Sequence, residues 1–72
     1  MKQSEALIRV LLDEKAEFGD RDDAAMDLES FDSSDVIEAL RIIISDQNAD
    51  DELKDMCQES LYAILDRQKN SN

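Results

Sequence analysis

Sliding the chain along itself until Glu5 lies on Glu38 brings two stretches into gapless register. Glu5-Ala6-Leu7 falls on Glu38-Ala39-Leu40, Val10-Leu11 on Ile43-Ile44, Asp13 on Asp46 and Ala16 on Ala49. Further on, Arg21-Asp22 falls on Lys54-Asp55, and Ala24, Leu28 and Phe31 fall on Cys57, Leu61 and Ile64. A repeat of this length constrains the fold strongly, because each copy must be a unit that cannot bury its apolar face alone. Such a period accommodates two helices and their turns. Stacking two units then buries one shared layer.

The apolar spacing predicts four helices and no strand. The first runs over 4–17, with Ala6, Leu7, Val10 and Leu11 as its inward stripe and Ile8 and Leu12 widening it. Phe18-Gly19 is expected to end it, the glycine taking a left-handed conformation. The second runs over 20–31 with Asp20 as N-cap and Asp22 and Asp23 in the first turn, where the helix dipole favours carboxylates. Its inward face is Ala24, Leu28 and Phe31, flanked by Ala25. Asp32-Ser33-Ser34 is a turn that caps a third helix over 34–45, with Val36, Ile37, Leu40, Ile43 and Ile44 inward. The β-branched triplet Ile42-Ile43-Ile44 is too short a run, and without a second strand to pair with, to be read as β. After a polar loop over 46–50, a fourth helix runs over 51–67, with Leu53, Met56, Cys57, Leu61, Ile64 and Leu65 on its stripe. Residues 68–72 are expected to be a disordered polar tail. The fold class is all-α: one domain over 1–72, built of two stacked antiparallel helical hairpins, repeat 1 over 4–34 and repeat 2 over 37–67.

This pattern resembles the HEAT repeat. The residues that carry the resemblance are Ile43-Ile44, Asp46, Leu53-Lys54, Met56-Cys57, Leu61 and Ile64 in the second unit. In the first they are Leu11-Leu12, Asp13, Arg21, Ala24-Ala25, Leu28 and Phe31. The resemblance covers roughly 4–67 and implies a short, two-unit piece of α-solenoid of a small bacterial type. Short, acidic, helical immunity proteins look similar, and that likeness implies a binding role.

Composition excludes several function classes. The 72 residues contain no His, no Pro, no Trp, one Gly and one Cys. Without His and with a single Cys there is no Cys/His zinc site, no histidine-based catalysis and no internal disulfide. The lone cysteine fits a reducing compartment, and a cytoplasmic location is expected. The longest apolar run, Ile42-Ile43-Ile44, is far from a membrane span, and Glu5, Arg9 and Asp13 after Lys2 do not form a signal peptide. Eight Lys and Arg against nineteen Asp and Glu give a net charge of −11, which repels nucleic-acid phosphate and anionic lipid.

Acidic clusters invite a metal reading. Asp46, Asn48 and Asp50 sit at positions 1, 3 and 5 of an EF-hand loop, but position 6 is Asp51 where Gly is needed and position 12 is Cys57 where Glu is needed. The loop is therefore read as a cap for the fourth helix. The Asp20, Asp22, Asp23 cluster is likewise read as helix capping, and neither metal nor cofactor is expected. An enzyme is not expected either: no Ser or Cys has a His partner, no Gly-rich loop cradles phosphate, and a two-layer helical domain leaves little room for a pocket that separates carboxylate pKa values. Cys57 is read as a small core hydrophobe.

The second helix of each stacked hairpin lines one surface. There the sequence places Asp22, Met26 and Glu29 in one row. At the repeat offset it places Asp55, Glu59 and Tyr62 in another, and Asp23, Asp27 and Asp66 flank the two. The expected function is a non-enzymatic acidic module that binds a basic protein through these nine residues. Its sharpest form is an immunity or inhibitor protein neutralising a basic toxin such as a nuclease. Charge of one sign speeds encounter, and Met26 and Tyr62 supply the desolvated anchors. The alternatives are a solvated, merely solubilising face, a self-associating scaffold or adaptor that dimerises through Ile8, Leu12 and Ile42, and a nucleic-acid mimic.

Overall fold

The computed structural model describes residues 3–70. Four helices follow one another: α1 (Gln3–Leu12), α2 (Phe18–Leu28), α3 (Ser34–Ser45) and α4 (Asp51–Asn70). Among the described residues there is no strand. Short connections, over 13–17, 29–33 and 46–50, fold each helix back on its predecessor. The most extensive packing is within the pairs α1/α2 and α3/α4; α2 also packs on α4 and α1 on α3. The result is a pair of hairpins laid one on the other.

Leu11, Leu28, Leu40, Leu53 and Ile64 lose all solvent contact at the junction, with Val36, Ala24, Ala25, Ala39, Ile43 and Cys57 around them. Each large side chain buried this way contributes roughly 1.5–3 kcal/mol. Leu7, Ile8, Leu12, Phe31, Ile37, Ile44, Met56 and Leu61 pack partly buried at the edges.

Helix boundaries differ from the sequence expectation at the end of α1, at both ends of α2 and at the end of α4. α1 ends at Leu12, not at residue 17, because Asp13 turns the chain. Its carboxylate accepts the Lys15 N–H at 2.9 Å and its carbonyl accepts the Ala16 N–H at 3.1 Å. These bonds offer the backbone an alternative to the helix ladder. Gly19 therefore ends nothing. It lies in the first turn of α2 with φ outside the left-handed region. The N-cap of α2 is Glu17, whose side chain makes no capping bond, and Asp20 sits in the first turn instead. α2 closes at Leu28: the N–H groups of Glu29, Ser30 and Phe31 reach back to the carbonyls of Met26, Asp27 and Leu28, tightening the chain out of the α-helix.

The last difference is at the end of α4. The helix continues through Asn70, so 68–70 are helical where a disordered tail was expected; Ser71 and Asn72 lie outside the described residues. Gln68 Nε2 donates to the Asp32 carbonyl at 2.9 Å, and Arg67 and Lys69 complement the negative end of the helix dipole. α3 spans the expected residues, with Ile42, Ile43 and Ile44 in helical conformation. Its N-cap Ser33 donates its hydroxyl to the Asp35 carboxylate, which in turn accepts the Val36 N–H.

The stripe of α1 is also rotated from expectation. Leu11 is buried, but Ala6 is exposed and Val10 is 37 % exposed, while Ser4 is buried. Among the described residues α1 packs on α2 and α3.

Candidate functional site

α2 and α4 lie side by side, joined where Ser60 Oγ donates to the Ala25 carbonyl at 2.8 Å. Ser60 is buried, and its small side chain lets the two helices approach closely. Arg21, half-buried, reaches the other way: its Nε donates to the Leu11 carbonyl at 2.9 Å, an acceptor left open by the end of α1. Among the described residues no buried side-chain nitrogen or oxygen lacks a partner.

The residues singled out from sequence lie on these two helices and at the end of α2. Asp22, Asp23, Met26 and Asp27 are on α2, Glu29 is just beyond its end, and Asp55, Glu59, Tyr62 and Asp66 are on α4. All are exposed except Asp22, which is half-buried close enough to Cys57 for its charge to act on the thiol; Tyr62 is 70 % exposed. Met26 is 49 % exposed. Tyr62 and Asp66 line a shallow trough with Ala63, Leu65 and Lys69. Asp23 and Asp27 do not belong with this set. They line a groove on the other flank of α2, facing α1, together with Leu7, Val10, Asp13 and Asp20. The nine residues thus divide between two surfaces. The helical turn rotates Asp23 and Asp27 away from Asp22 and Met26, which the row spacing alone did not separate.

The carboxylates of the loop over 46–50 are committed to capping. Asp46 accepts the Asn48 N–H and Asp50 accepts the Glu52 N–H, each at 2.9 Å. Among the described residues no group of three or more His, Cys, Asp or Glu side chains is placed to hold a metal ion. Cys57 is fully buried, and desolvation, with Asp22 adding to it and Arg21 opposing it, pushes its thiol up to about 12. Such a thiol does not ionise at neutral pH and is not a nucleophile there.

Two further grooves border α1. The one between α1 and α3 is lined by Ile8, Leu12, Ala39 and Ile42, with Glu5, Arg9, Asp35 and Glu38 along it, and so brings together the three residues through which the sequence offered self-association as an alternative. The other, which was not read from the sequence as a site, is the α1/α2 groove that takes Asp23 and Asp27. Among the described residues no helix is long and apolar enough to cross a membrane.

Hydrogen bonds of the first hairpin recur in the second at the repeat offset. Asp13 N to Val10 O matches Asp46 N to Ile43 O, and Ala16 N to Asp13 O matches Ala49 N to Asp46 O. Lys15 N to the Asp13 carboxylate matches Asn48 N to the Asp46 carboxylate. Arg21 N to Glu17 O matches Lys54 N to Asp50 O. Compared with known proteins, the chain matches no family model, no curated protein and no solved structure.

Proposed function

We propose that the chain is a non-enzymatic, acidic protein-binding module that takes a basic protein on the outward side of α2 and α4. The observation that carries this reading is the exposure of Tyr62 and Met26 on helices that also expose Asp55, Glu59 and Asp66, with Glu29 exposed just past the end of α2. A large amphipathic ring and a flexible thioether exposed amid carboxylates suit an interface in which charge guides encounter and a few apolar anchors hold. In its sharpest form the module is a cytoplasmic immunity or inhibitor protein that neutralises a basic toxin. The two hairpins are read as HEAT-like units, a reading supported by the hydrogen bonds that recur from one hairpin to the next.

The test is co-expression with the product of the adjacent gene, followed by tagged co-purification at low and high salt. The expected result is a one-to-one complex that salt weakens and that Met26→Ser with Tyr62→Ser weakens at least about tenfold, as loss of two anchors should. A complex indifferent to both substitutions would remove this face from the reading. A second reading, a self-associating scaffold, is favoured by the α1/α3 groove, where Ile42 is 46 % exposed beside Ile8 and Leu12.

A further inference from the structure

The α1/α2 groove at one end of the hairpin pair carries no basic residue while Arg41 and Lys54 stand at the other, and each end resembles one half of the junction inside the molecule. At that junction the second hairpin presents Leu40, Ile43, Leu53, Cys57 and Ser60, all buried. In the repeat register the corresponding positions of the first hairpin are Leu7, Val10, Asp20, Ala24 and Asp27. These five, with Asp23 in the place of Met56, line the α1/α2 groove at the open end of the molecule. The face that seats a neighbouring hairpin in one unit is thus partly open in the other: Val10, Asp20 and Asp27 are exposed on it and Leu7 is half-buried, while Ala24 at its floor is already closed off. The groove's rim carries Asp13, Asp20, Asp23 and Asp27 and no basic residue.

The opposite end is the counterpart. The first hairpin enters the internal junction with Leu11, Arg21 and Leu28, which correspond to Ile44, Lys54 and Leu61. Ile44, Leu61 and the Lys54 stem are half-buried at the far side of α3 and α4, and Arg41 is exposed at the place of Ile8. Inside the molecule both Arg21 and Asp22 lie near enough to Cys57 for their charges to act on it. The same placement one unit further would bring Lys54, with Asp55 beside it, over the Ala24 position of another copy, with Asp20, Asp23 and Asp27 within one turn.

We propose that the chain stacks head to tail on a second copy, the α3/α4 end of one molecule seating in the α1/α2 groove of the next, with Arg41 and Lys54 against Asp20, Asp23 and Asp27. The occupant is a second copy because both helices of the groove repeat the spacing of a junction this chain already makes, and because two basic residues, Arg41 and Lys54, stand at the matching register of its other end. This contact is heterologous, so it propagates and does not close at two chains. It uses neither Met26 nor Tyr62 and stands apart from the binding of a basic protein. The net charge of −11 opposes association at a distance. At about 0.15 M salt the screening length is only about 8 Å, which leaves contact pairs while removing most long-range repulsion.

Sedimentation equilibrium at that salt, from micromolar to millimolar chain, tests the proposal. The wild-type weight-average mass is expected to climb past two chains. D20K/D23K and R41E/K54E, each checked for helical circular dichroism, are each expected to stay at one chain's mass. Their equimolar mixture is expected to regain growth, because each variant end then meets an oppositely charged groove. I42S, in the α1/α3 groove, is expected to grow like the wild type. A wild type that stays monomeric, a mass that levels at two chains, growth unaffected by the charge reversals, a mixture that fails to recover, or growth lost in I42S would each overturn it.

Discussion

Cys57 shows what a single side chain tells about this fold. It is fully buried on the α4 stripe and its thiol is pushed from 9.0 to about 12, chiefly by loss of water. In the unfolded chain the thiol ionises near 9, so between 9 and about 12 the folded state holds a proton that the unfolded state has lost. Stability contributed by the neutral thiol is complete below pH 9 and falls as pH rises toward 12. Chemical denaturation from pH 8 to 11 should show wild-type stability declining more steeply than that of Cys57→Ala, which lacks this group. Parallel pH profiles would show that the thiol is not desolvated. The burial was legible, because Leu53, Cys57 and Ile64 keep helical spacing. Ser60 was not, although it shares the stripe: a polar residue among apolar ones reads as exposed until the Ala25 carbonyl that satisfies it is known. Ser4 was missed because it too is a polar residue at a buried position.

At the scale of elements, α1 and α2 show where sequence reading gave way. The residues of α3 were placed correctly because its apolar period, its preceding Asp32-Ser33-Ser34 turn and Asp46 after it all agree. The α1–α2 connection was misplaced because Gly19 is the chain's only glycine and a glycine is a strong stop signal. Asp13 is the weaker signal, yet it prevails: its side chain and carbonyl both bond forward, and the same arrangement recurs at Asp46. A glycine in the first turn of a helix, with φ negative, has no conformational task there. A Cβ at Gly19 would meet nothing within 4 Å. Gly19→Ala should therefore stabilise the protein by roughly 0.5–1 kcal/mol, through the lower entropy of the unfolded chain and better helix propensity. Urea denaturation should show the midpoint rising with an unchanged slope. A lower midpoint would mean that the backbone at Gly19 leaves the helical region. Of the candidate residues, the sequence located the helices that carry them but not which surface each one faces. α2 and α4 could be paired from the repeat register, but which flank Asp23 and Asp27 occupy depends on where α1 lies, and sequence spacing does not locate a neighbouring helix.

At the scale of the whole molecule the governing quantity is a charge of −11 held within a radius of gyration of 11.5 Å. An unfolded chain of this length spreads to about 26 Å, so folding concentrates like charge and self-repulsion opposes it. Salt acts on two electrostatic effects of opposite sign. Carboxylates in the first turns, Glu5, Asp20, Asp35, Asp51 and Glu52, favour the helices, each by about 0.3–1 kcal/mol, and salt weakens them. The net repulsion is unfavourable and salt weakens it too. Range decides between them. At about 0.01 M the screening length is about 30 Å, comparable to the 39 × 28 × 16 Å extents, so every charge feels nearly every other. At about 0.1 M it is about 10 Å, which removes repulsion across the molecule while leaving carboxylate-to-helix contacts of a few ångströms largely intact. The melting temperature should therefore rise between about 0.01 and 0.1 M salt and then level. Relief of about 1 kcal/mol corresponds to roughly 4–8 °C for a domain of this size. Circular dichroism melts at low micromolar concentration, where association of copies contributes least, give the measurement. A falling melting temperature over that range would mean that the contacts at the helix N-termini outweigh the repulsion that folding creates.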